Sequence, residues 1–119
     1  MKLALLTLDF LPDPGGVQTY LGQVALRLAQ THQVLVITPI RGSGIAEPFQ
    51  RKVVRSTIPD FLGALHRFQP DRILVGHAHP KLLLSAALML PKKYAALAYG
   101  NDYLAAQRRW HRPLFNWLL

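Results

Sequence analysis

Apolar residues along the chain come in two textures. Residues 2–8, KLALLTL, are almost continuously apolar and show no period of two. A short run of that kind suits a strand buried on both faces of a parallel sheet. From Val17 the texture changes: Val17, Tyr20, Leu21, Val24, Ala25 and Leu28 recur at helical spacing, with Gln18, Gln23, Arg27 and Gln30 opposite them. That pattern marks one buried helix face. A second apolar run, QVLVIT at 33–38, stops at Pro39. Strand, helix and strand so close together predict a right-handed βαβ unit.

The alternation continues downstream. Residues 41–49, RGSGIAEPF, read as a loop, and RKVVR at 51–55 as a short, polar strand suited to a sheet edge. Thr57 and Pro59 signal a helix start, and Phe61, Leu62, Leu65 and Phe68 supply its apolar face. QPD then turns the chain into RILVG at 72–76. Residues 80–90 form an almost wholly apolar helix, YAALAYG at 94–100 a fifth strand, and 103–119 a last helical stretch interrupted at Pro113. Strands alternating with helices predict an α/β sandwich with a mostly parallel five-stranded sheet. By analogy with doubly wound sheets, its strand order is 3-2-1-4-5. Ligands of such sheets gather beyond the carboxyl ends of the strands. Here those ends are 9–16, 38–44, 77–80 and 99–102.

Composition narrows the chemistry. Half of the 119 residues are hydrophobic and 17% are charged, which suits one folded domain. Cysteine is absent, which excludes disulfides, zinc-thiolate sites and thiol nucleophiles. The net charge of +8 favours anionic partners. The opening MKLALL is like the start of a secretion signal, but Asp9 and Pro12-Asp13-Pro14 cut it short. No apolar run approaches the length of a membrane span. A cytoplasmic location is expected.

Pro14-Gly15-Gly16 lies where the first strand gives way to the first helix. Helix N-termini present unpartnered N–H groups and partial positive charge. Two residues without side chains let a phosphate approach that backbone closely. They equally suit a tight strand-to-helix turn, and the spacing alone leaves both readings open. The spacing G-G-x-x-x-x-x-G departs from the dinucleotide fingerprint, and Ile37-Thr38-Pro39 offers no acidic ribose partner. No Walker lysine is present. Asp9 and Asp13 lack the central aspartate that a phospho-acceptor receiver needs, because VVRST contains none.

In sequence, FLPDPGGVQTY followed by LAQTHQVLVITP resembles the start of the family-four retaining glycosyltransferases of GT-B fold, which include phosphatidylinositol mannosyltransferase-like enzymes. QPDRILVGHAHP, YGNDY and RRWHRPLFNWLL resemble further segments of that family, in the same order. The resemblance implies a Rossmann-like, acceptor-side amino-terminal domain, incomplete at its end and without the carboxyl-terminal donor domain. It implies transfer of a hexose, with retention, from a nucleotide diphosphate sugar to a lipid or saccharide acceptor. Neither metal nor other cofactor is implied, and the fragment alone is expected to be inactive. Gly15 and Gly16 inherit the contact with the donor diphosphate. Asp13, Gln18, Thr19, His77, His79 and Asn101 become acceptor-side candidates, and Tyr99 and Asp102 catalytic ones. Tyr99 stands where the family has a histidine, and a tyrosine is neutral near pH 7. A split enzyme, with this chain as a membrane-docking or assembly subunit, is the alternative.

Four further expectations follow. His77 and His79 are a His-x-His pair without further ligands at other strand ends, and His32, His66 and His111 fall in or beside helices, so no metal site is expected. Lys and Arg are scattered without an aromatic-basic motif, which argues against nucleic acid. In the last stretch Arg108, Arg109, Trp110, Arg112 and Trp117 combine positive charge with interfacial aromatics and no acid, the composition of a contact with an anionic membrane surface. An unpaired edge at the fifth strand would favour a homo-oligomer.

Overall fold

A computed structural model describes residues 1–76 and 79–89, together with the backbone of 94–96. The elements run β1 (Lys2–Leu6), α1 (Gly16–Ala29), β2 (Gln33–Thr38), β3 (Gln50–Val53), α2 (Ile58–Phe68), β4 (Arg72–Val75), α3 (Pro80–Met89) and β5 (Tyr94–Ala96). Every strand pairing is parallel, and the order is β3-β2-β1-β4-β5. Strands β1 to β4 form the body of the sheet, and the three-residue β5 continues it beside β4. Residues 97–100 of the expected fifth strand and the stretch 103–119 lie outside the described residues.

The continuous apolar runs are explained by burial on both sheet faces. Leu3, Leu5, Val34, Val36 and Leu74 join Phe10, Leu21, Ala25 and Phe49 on the α1 face. Their strand neighbours Ala4, Leu6, Leu35, Ile37, Ile73 and Val75 join Phe61, Leu65, Leu82 and Ala86 on the α2–α3 face. Adjacent strand residues point to opposite sides, so each strand needs apolar residues at every position. α1 therefore lies on one side of the sheet and α2 and α3 on the other. The chain winds outward from β1 through β2 to β3, then crosses back to β4. The change of direction puts the topological switch point between β1 and β4, and the loop that leaves β1 there carries the glycine turn.

Local signals set the boundaries. Thr57 has extended backbone and its hydroxyl accepts the Asp60 N–H at 3.3 Å, while Pro59 stands in the first turn of α2. Gln69 closes α2 in the left-handed region, φ 52°, and its N–H donates to the Leu65 carbonyl. At the amino edge of the sheet, the Lys2 ammonium donates to the Phe68 carbonyl at 3.2 Å and sits over the Phe68 ring. β3 ends at Val53 rather than Arg55, and just beyond it the outward-facing Arg55 N–H bonds the Asp60 carboxylate at 3.2 Å.

Candidate functional site

The carboxyl ends of β1 and β2 each carry a fully buried threonine. The Thr7 hydroxyl donates to the Asp9 carbonyl at 2.6 Å, and the Thr38 hydroxyl accepts the Ile40 N–H at 3.3 Å. Both side chains turn the chain immediately as it leaves the sheet. Beyond Thr7, Phe10 returns to the core and packs edge-on against Phe49, with ring centres 5.7 Å apart. Leu11 lies so close over Gly22 of α1 that a Cβ there would collide with it. The segment from β1 to α1, which includes a cis Leu11–Pro12 peptide, is thus tied to the core.

Arg51 completes that anchorage. Its side chain, only 8% exposed, pairs with Glu47 at 2.7 Å. It also donates to the carbonyls of Leu11, at 2.7 Å, and Ile40, at 3.0 Å. One guanidinium therefore joins the loops after β1 and β2 and the approach to β3. Its planar fork satisfies this set of acceptors, which a lysine ammonium reproduces poorly. The hydrophobic pattern gave no sign of this role. Glu47 and Arg51 are four apart, a spacing diagnostic of ion pairs only in helices, and these residues form a loop and a strand.

The glycine turn sits on this base. Gly15 has φ 148° and ψ 166°, a region that only glycine occupies readily, and its Cβ position is blocked by the Gln18 side chain. Gly16 is different. It begins α1 without a positive φ, and among the described residues a Cβ there would meet nothing within 4 Å. Gly15 is accounted for by the turn, whereas neither backbone geometry nor packing against the described residues requires a glycine at 16. α1 has no side-chain cap and no acidic residue in its first turn, so among the described residues neither device offsets its N-terminal charge.

The other sequence candidates divide. Asp13 and Thr19 are exposed near the turn; the Asp13 N–H donates to the Phe10 carbonyl, and the Thr19 hydroxyl to the Gly15 carbonyl at 2.8 Å. Gln18 covers Gly15. His79 precedes Pro80, and its Nδ1 accepts the Lys81 N–H at 3.2 Å, so the imidazole caps α3. His77, Tyr99, Asn101, Asp102, Arg108, Arg109, Trp110, Arg112 and Trp117 lie outside the described residues. Among the described residues no three His, Asp or Glu side chains group as a metal site, and no helix is long and apolar enough to cross a membrane.

A concavity also lies away from the turn. A cavity of about 680 Å³ opens between α2 and the carboxyl end of β3, with Arg41, Lys52, Arg55 and Arg67 on its walls. The glycine turn, by contrast, follows β1 at the switch point of the sheet, the place where open α/β sheets bind ligands. Cavity size alone does not carry that chemistry. No protein-family model matches the chain, and no curated protein matches it.

Proposed function

We propose that this chain is the acceptor-side, Rossmann-like half of a retaining glycosyltransferase of GT-B type, and that its glycine turn receives the diphosphate of a nucleotide sugar. The observation that carries the reading is the contrast between the two glycines: Gly15 has a geometric reason and Gly16 has none. A phosphate oxygen approaching the first N–H groups of α1 supplies that reason, since a side chain at 16 would obstruct it. Support also comes from the uncapped helix start, its position at the switch point, and the four family-like segments in their order.

In the proposed reaction the N–H groups of α1 and the helix dipole offset the negative charge on the departing nucleoside diphosphate. Arg51 holds the loop that leads to the turn through the Leu11 carbonyl. The acceptor, a lipid or saccharide, would lie along the carboxyl ends of β1 and β4. The donor-side residues belong to the other half of the enzyme.

Titration of the chain with pyrophosphate and a set of nucleoside diphosphates, followed by amide chemical shifts, tests this reading. Shifts should concentrate at Gly16, Val17 and Gln18, and Gly16→Val should abolish them while the melting curve barely moves. Shifts spread over the basic surface, or unchanged binding by folded Gly16→Val, would reduce the turn to geometry.

A further inference from the structure

The cavity beside α2 has features that the proposed reaction does not use. It is continuous with a second hollow along β3: Lys52, Ala64 and Arg67 line both. Together they form a groove between α2 and the outer side of β3. β3 is an edge strand: among the described residues it pairs with β2 alone. The Val54 N–H donates inward to Thr38, at 3.1 Å, while the Arg55 N–H turns outward to Asp60. Backbone groups alternate sides along a parallel strand, so the N–H and C=O groups of Arg51 and Val53 face away from β2, and no other described strand pairs with them.

Charge is concentrated along the same line. Arg41 comes from the loop after β2, Lys52 from β3, Arg55 from just beyond it, and Arg67 from α2. Asp60 is the single acid on the walls, and Arg55 already engages it at 2.9 Å. Among the described residues no carboxylate lies within 4.0 Å of Arg41, Lys52 or Arg67. The α2 wall is low at Gly63, where a Cβ would meet nothing within 4 Å, so the groove stays open.

We propose that this groove binds an extended acidic segment of another protein, which adds to β3 as a further strand and carries Asp or Glu at alternating positions. The backbone groups of Arg51 and Val53 supply the ladder, the mode in which peptides extend an open sheet edge. The alternation follows from register. Lys52 pairs with Ile37, which faces α2, so the lysine lies on the α2 side, and every second residue of an added strand shares that side. Acidic side chains there meet Lys52, Arg67 and Arg41. A second copy of this chain is excluded as occupant by the same charges, because edge-to-edge pairing would set basic residues against basic residues. The site is independent of glycosyl transfer and of the glycine turn.

The test uses the whole chain and a labelled peptide of about ten residues alternating Glu and Val. A peptide of identical composition in block order and a peptide N-methylated at alternate backbone nitrogens serve as comparisons. Fluorescence anisotropy at low salt should detect the alternating peptide, with amide shifts at Arg51 and Val53. Affinity should fall about tenfold or more for the double variant Lys52→Glu, Arg67→Glu, and by a similar factor on N-methylation. Val53→Pro, which removes an outward N–H and leaves the pairing with β2, should weaken binding as well. Absence of binding, equal binding of the block peptide, or a preference for phosphatidylserine vesicles over the peptide would overturn the proposal.

Discussion

The guanidinium of Arg51 lies 4.9 Å above the centre of the Phe10 ring, joining a residue of the edge strand to the loop that follows the first strand. The same side chain holds Leu11, Ile40 and Glu47. Arg51→Lys keeps the charge and loses the fork. It should cost about 2 kcal/mol, the scale of hydrogen bonds to charged groups. Chemical denaturation measures the loss. Amide exchange at residues 8–15 should quicken more than exchange in α2. A uniform change across the domain would mean that Arg51 acts as ordinary packing.

The two glycines should separate under the same substitution. Gly15→Ala forces an L side chain into a region that costs about 1–3 kcal/mol, and it also displaces Gln18. Gly16→Ala should fold at least as well as wild type, gaining up to about 1 kcal/mol from reduced freedom of the unfolded chain. Thermal melts of both variants check the contrast. Equal destabilisation by the two would remove the argument that Gly16 is kept for a ligand.

His79 should behave as a helix cap. His79→Ala should cost about 1 kcal/mol, while His79→Asn, which keeps an acceptor near the Lys81 N–H, should recover most of it. Zinc should shift neither wild type nor variant. A zinc-dependent rise in melting temperature that His79→Ala abolishes would restore the His-x-His pair as a metal site.

Asp60 gives a pH dependence whose sign is set. Its hydrogen bond to Arg55, aided by their opposite charges and by the Thr57 hydroxyl, holds its carboxyl below the usual range. A depressed carboxyl stabilises the fold above its unfolded value of about 4, and that contribution disappears as pH falls through the folded value. Arg55→Ala should raise the Asp60 titration toward the ordinary value. High salt should do the same in wild type, since both groups are solvent-accessible. Carboxyl carbon shifts recorded against pH give the answer. An unchanged midpoint in Arg55→Ala would assign the shift to Thr57 and the start of α2 instead.

Local and periodic features were legible in the residues themselves. The unbroken apolar runs at 2–8 and 33–38 require two covered faces, and Thr57 with Pro59 starts a helix by chemistry confined to one turn. The strand order expected by analogy with doubly wound sheets is the one the described strands adopt. Tertiary structure decided what depends on residues far apart in the chain. Arg51 meets a carbonyl forty positions away, and Arg41, Lys52 and Arg67 become one groove only once α2 lies along β3. His79 reads as a ligand candidate in sequence and as a cap in space. Gly15 and Gly16 are identical as letters. Backbone torsion and the position of Gln18 make one structural and place no such demand on the other. Periodicity reports burial, which each residue expresses against a whole layer, whereas hydrogen-bond partners and charge clusters are fixed only when particular loops meet.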